Sequence, residues 1–113
     1  MHEVSLMSST LGIALEYASR QGAQKIHRLK MRVGEQSGVV PEALEFAFDV
    51  VTQGTIAEGA NLEVEKIPVI CYCLNCKQEF QPDTLFYECP ECHELSTEVR
   101  CGREIELTSL EVS

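Results

Sequence analysis

Basic residues are scarce in this chain. Nine lysines and arginines stand against eighteen acidic residues over 113 positions, a formal net charge of -9 at neutral pH. A nucleic acid partner needs a dense cationic surface to displace its counterions, so that class of partner is excluded on charge. Long apolar runs are missing as well. None approaches the roughly 20 residues of a membrane span, and the first residues show no basic stretch followed by an apolar one, so no membrane role is expected and the cytoplasm is the expected compartment. No phosphate-binding loop, paired nucleophile and base, or open catalytic metal position is legible, which argues against an enzyme and leaves no catalytic residue and no organic cofactor to name. Internal repeats and low-complexity segments are absent too.

Cysteine is missing from about two thirds of the chain, and all six fall between Cys71 and Cys101. A secreted disulfide framework would spread them, whereas a reducing compartment and a metal explain the clustering. Cys73 and Cys76 form one pair, and Cys89 and Cys92 another, twelve residues further on. Two tight turns facing each other bring four thiolates to one point, the tetrahedral geometry that Zn²⁺ accepts. Four protein ligands leave no open position, so the expected role is structural. Four thiolates around a dication also make the loaded protein more negative still.

Cys71 and Cys101 flank the pairs and read as buried free thiols. Cys71 is also the alternative to Cys73 as a ligand, since residues two apart on a strand share a face. Cys89 to Cys92 followed by His93 matches a covalent haem attachment pattern, but that chemistry takes place outside the cytosol and would leave the first pair without a role. His93 reads as a solvated turn residue, with a metal contact as its sharper alternative. A dithiol redox role would require a helix N-terminus in a βαβ setting, which neither pair has.

Ahead of the cysteines, Val4, Met7, Leu11, Ala14, Leu15 and Ala18 recur at three and four residue steps and predict an amphipathic helix from 4 to about 20, closed by Gly22. Leu29, Met31 and Val33 alternate with Arg28, Lys30 and Arg32, a strand with an apolar inner face and a basic outer one. That outer face reads as solvated, or, more sharply, as a dock for an acidic partner. His27 precedes it as a surface residue. Pro41 suits the first turn of a second helix, with Leu44, Ala47, Phe48 and Val51 as its buried stripe and Gly54 at its end; Phe46 and Phe48 are both expected in the core. Residues 61–67 alternate as a second strand, Leu62 and Val64 against Glu63 and Glu65, limited by Pro68.

Within the cysteine-bearing segment Phe80, Leu85, Phe86 and Tyr87 supply a small apolar cluster, too small to hold about thirty residues together by burial, so zinc must stabilise it. After Cys101 the apolar phase changes between Leu107 and Leu110, and a bulge near Thr108 or Ser109 restores the register. The final strand is expected to rejoin the N-terminal sheet, making the cysteine-bearing segment an insertion.

At the other end stand Met1, His2 and Glu3. A free α-amine, the adjoining amide nitrogens and an imidazole at position 2 can wrap a tetragonal Ni²⁺ or Cu²⁺ ion in fused chelate rings. The plain alternative is a solvated histidine at a frayed terminus.

The whole chain resembles the HypA/HybF family of hydrogenase maturation factors, which are nickel metallochaperones. The likeness rests on Met1, His2, Glu3; on Phe46, Ala47, Phe48; on Gly54, Thr55 with Ala57, Glu58, Gly59, Ala60; on the paired cysteines; and on Gly102, Arg103, Glu104 through Ser109 to Glu111, Val112. It implies an α+β fold of two helices on a three-stranded sheet, in the order α-β-α-β-zinc module-β. The expected division is a nickel-binding domain of residues 1–68 plus 102–113 and a zinc-binding ribbon of residues 69–101. It implies Ni²⁺ as cargo at Met1, His2 and Glu3, and structural Zn²⁺ at Cys73, Cys76, Cys89 and Cys92. It also implies a HypB-type GTPase and the [NiFe] hydrogenase large subunit as partners, with urease maturation factors for some members. Two features depart from the pattern. Glycine often follows the second cysteine of such a turn, where Lys77 and His93 stand here. Members that rearrange zinc ligands with pH carry histidine after both pairs, and this chain has only His93. From a different class, the alternative function is a zinc-ribbon adaptor with no transported metal.

Overall fold

The computed structural model describes residues 2–82, 87–96 and 98–113, with His2 described by its backbone alone. Helix α1 spans His2–Arg20 and β1 spans Ile26–Gly34; α2 (Pro41–Val51) leads to β2 (Asn61–Ile67). Then come β3 (Ile70–Cys73), β4 (Gln78–Phe80) and β5 (Glu98–Cys101), and β6 (Ile105–Val112) ends the chain. The strands form two sheets, β2-β1-β6 and β4-β3-β5, so the cysteine-bearing segment is an insertion between β2 and β6, as expected.

On α1 the stripe Met7, Leu11, Ala14 and Ala18 is buried, while Val4 at its start is partly exposed. The helix begins two residues earlier than the apolar pattern predicts, because its first turn needs no buried side chain; Glu3 there and Arg20 in the last turn match the helix dipole. Gly22 closes it at φ +70. The Gly22 amide donates to the Ser19 carbonyl and the Ala23 amide to that of Ala18, the paired bonds of a Schellman turn. Pro41 opens α2. Thr52, buried behind that helix, donates its hydroxyl to the Phe48 carbonyl at 2.7 Å.

The two phenylalanines of α2 part company. Phe48 is 2% exposed and Phe46 is 69% exposed, so the expectation of both in the core fails for Phe46. Residues two apart on a helix point about 200° apart, and only one can face the sheet. His27 is exposed, as read, with Nε2 2.7 Å from the Ser113 hydroxyl.

Strand β1 runs parallel to β2 and antiparallel to β6. Leu29, Met31 and Val33 are buried under the helices. On the opposite face Arg28 pairs with Glu63 and Glu111, and Lys30 and Arg32 both reach Glu65. The basic stripe is thus answered by its own neighbouring strands. The register with β6 moves from Lys30 opposite Ser109 to Met31 opposite Leu107, which makes Thr108 the extra residue and puts the bulge where the phase change requires it.

Two separate apolar clusters result. One lies between the helices and the large sheet; the other gathers Cys71, Cys73, Phe80 and Cys89 with Val69, Tyr87 and Val99. Leu85 and Phe86, expected in the second, lie outside the described residues. The backbones of the two parts touch where the chain leaves and re-enters the large sheet. There the Gln36 amide donates to the Gly102 carbonyl at 2.7 Å, and a Cβ on Gly34 would run into that same carbonyl group.

Two outcomes follow for stability in urea. Phe48→Ala is expected to cost about 3–5 kcal/mol and Phe46→Ser under about 0.5 kcal/mol. Gly34→Ala forces backbone against backbone and is expected to cost about 1–3 kcal/mol, and an unchanged midpoint would disprove the close approach.

Candidate metal centres

Two turns that repeat each other build the cysteine cluster. Cys73 ends β3 and Cys76 lies in the turn before β4, with the Lys77 amide donating to the Cys73 carbonyl at 2.7 Å. In the second turn the His93 amide donates to the Cys89 carbonyl at 2.9 Å. The residue after each second cysteine is left-handed, with φ 55 at Lys77 and 64 at His93. Glycine's usual place is therefore filled by residues that adopt its conformation. Such backbone costs an L-residue roughly 1–2 kcal/mol, small beside what a bound metal contributes.

The sulfurs of Cys73, Cys76, Cys89 and Cys92 lie within 4.8 Å of one another. Cys73 and Cys92 are 3.5 Å apart, and Cys76 and Cys89 are 4.0 Å apart. Zinc–sulfur bonds of about 2.3 Å in a tetrahedron require sulfurs about 3.8 Å apart. The donor set fits a structural metal. Cys73 and Cys89 are buried, Cys76 and Cys92 half-buried, so the cluster has an inner and an outer side.

Without a cation these thiols compete for protons. Hydrogen bonding with Cys92, then burial, pushes the Cys76 thiol up to about 12. The Asn75 side chain, with the Glu94 amide, brings Cys92 down to about 6. Asn75 is a contributor that cysteine spacing alone did not single out; its only signal is an amide side chain between two paired cysteines. The Cys76 amide adds a bond to the Cys73 sulfur at 3.4 Å.

Cys71 and Cys101 stand apart from this group. Cys71 is buried opposite Phe80, and burial raises its thiol. Among the described residues the four-cysteine group contains Cys73 and not Cys71. Cys101 is half-buried, which corrects the expectation of two buried thiols: it lies on β5, a short edge strand of the small sheet, and such an edge lacks cover on one side. All six thiols are free. His93 is exposed, and its Nδ1 is 2.9 Å from the Glu88 carboxylate, which raises its pKa. At the N-terminus, Met1 and the side chain of His2 lie outside the described residues, while Glu3 is half-buried in the first turn of α1.

The turn after α1 meets the end of β6, where the Gln24 amide donates to the Ser113 carbonyl at 2.8 Å. β6 starts at the other end, opposite Val33. A 19-residue helix is about as long as β1, roughly 28 Å.

A family profile described as hydrogenase/urease nickel incorporation, metallochaperone, HypA, matches residues 1–112. The hydrogenase maturation factor HypA of a Picosynechococcus species is 55% identical over 112 residues, covering 99% of both chains. That of Lawsonia intracellularis is 43% identical over 117 residues, again with 99% of each covered. The solution structure of the nickel metallochaperone HypA from Helicobacter pylori superposes with a TM-score of 0.68 at 30% identity, covering 99% of this chain and 97% of that one.

Cys89→Ser removes a buried member of the cluster. Bound metal measured by atomic emission is expected to fall, while the helical circular dichroism is retained, because the helices belong to the other apolar cluster. Loss of both together would contradict that separation.

Proposed function

The chain belongs to the HypA family of hydrogenase maturation factors, and from that premise we propose how it holds its cargo and its resident metal. As a member it is a nickel metallochaperone and not an enzyme. The adaptor alternative, with no transported metal, is set aside by that membership.

In this reading Ni²⁺ is held at the N-terminus by the Met1 amine, the His2 imidazole and amide, and the Glu3 amide. The first amides of a helix lie outside its i to i−4 ladder, which makes the start of α1 the part of the helix where a metal can take amide nitrogens at least cost. The positive end of the helix dipole opposes a dication there, and the deprotonated amides offset it. Both features favour a site that releases its ion, as a carrier must. Nickel binding weakens as the pH falls through the imidazole range of roughly 6.5, since the ligands bind only when deprotonated.

Zn²⁺ is the resident ion of Cys73, Cys76, Cys89 and Cys92, and its role is structural. The observation that supports this is the four sulfurs within 4.8 Å. Residues 69–101 then act as a metal-stabilised unit and residues 1–68 with 102–113 as the cargo-binding one. The partners that fit the reading are a HypB-type GTPase and the large subunit of [NiFe] hydrogenase, with urease maturation factors as a second destination. No described helix is long and apolar enough to cross a membrane. Six free thiols suit the reducing cytoplasm, where the reading places the protein.

Calorimetry and the absorption of a planar Ni²⁺ site test the cargo assignment, on zinc-loaded protein that begins at Met1. One nickel is expected to bind, and one extra N-terminal glycine or His2→Ala is expected to abolish binding with zinc and fold unchanged. Equal binding by the glycine-extended protein would move the site away from the terminus.

A further inference from the structure

We propose that the free edge of β6, with the groove above it, accepts an extended cationic segment of another protein as an added strand. β6 is the outermost strand of the β2-β1-β6 sheet, and among the described residues no strand pairs with its outer side. Its eight residues carry no lysine or arginine, the charge by which edges commonly repel an incoming strand.

Above this edge lies a groove of about 450 Å³ lined by Ile13, Tyr17, Leu107, Thr108, Ser109 and Leu110. Ile13 and Tyr17 are one turn apart on α1 and 62% and 53% exposed. They stand off the buried stripe of Met7, Leu11, Ala14 and Ala18, so folding makes no use of them. A strand added beside β6 would lie about 4.8 Å further out and set alternate side chains beneath them. Backbone bonds would supply affinity and the two side chains selectivity. The bulge at Thr108 keeps the paired stretch short.

Charge selects the occupant. In a two-fold pairing of β6 with a second copy, centred between Thr108 and Ser109, Glu106 of each chain would face Glu111 of the other. Like charges opposite each other destabilise such pairs. Glu106 makes no ion pair among the described residues, whereas Glu111 already meets Arg28. A segment alternating apolar and basic residues satisfies both the groove and Glu106.

The test uses the full zinc-loaded chain, labelled with ¹⁵N and free of nickel, so its outcome is independent of the cargo reading. A synthetic nonapeptide alternating lysine and valine is titrated in, beside one carrying glutamate in place of lysine. Amide shifts are expected along residues 105–112 and at Ile13 and Tyr17 with the lysine peptide only. The surface double variant Ile13→Ser, Tyr17→Ser is expected to weaken binding about tenfold, and Glu106→Lys to weaken it while leaving the spectrum of the free protein in place. Absence of shifts, equal binding of the glutamate peptide, or shifts centred on the β1 stripe would overturn the proposal. So would a dimer in sedimentation that Ile13→Lys dissociates, which would make a second copy the occupant.

Discussion

Four sulfur atoms within 4.8 Å of one another set the constraint on which the inserted part of the molecule depends. Four thiolates held this close repel one another. Their surroundings hold them unevenly: hydrogen bonding with Cys92 and burial push Cys76 up to about 12, and the Asn75 side chain with the Glu94 amide draws Cys92 down to about 6. One dication removes the conflict. Structural zinc contributes on the order of 10 to 16 kcal/mol in small peptides, several times the strain that left-handed Lys77 and His93 add. That margin explains why the turns form without glycine. The apolar cluster around Phe80 and Tyr87 then serves to orient the two turns rather than to hold the segment folded by itself.

The large sheet is organised differently, by an apolar face under two helices and an outer face of matched charge. In a chain with twice as many acidic as basic residues, three of the basic ones occupy the central strand. Glu63 and Glu65 on one side and Glu111 on the other surround them. Each exposed pair stabilises the fold by no more than about 1 kcal/mol. Their combined effect is on arrangement, because a basic strand flanked by acidic ones disfavours the orders in which acidic strands lie side by side. The stripe is therefore engaged within the sheet rather than offered to an acidic partner.

Topology joins the two parts. The chain leaves the sheet after β2 and returns at β6, and Gly34 and Gly102 allow the backbones to touch at that crossing.

Sequence by itself determined the features set by local spacing. Cysteines three apart dictate turns that aim two sulfurs at one point; alternation at Leu29, Met31 and Val33 dictates a strand with one buried face; the phase change after Leu107 dictates a bulge. Each follows from the helix and strand periods or from the reach of a turn, and each is legible without knowing what lies opposite. Tertiary structure decided what depends on neighbours distant in the chain. Phe46 is exposed because Phe48 takes the face that meets the sheet. The basic stripe is neutralised because β2 and β6 place glutamates beside it, 33 and more residues away along the chain. Asn75 matters because folding carries Cys92 to it, and Ile13 and Tyr17 overhang an open edge because β6 is outermost. Periodicity says which face of an element is apolar, but only packing says which other element meets that face, and which faces meet none.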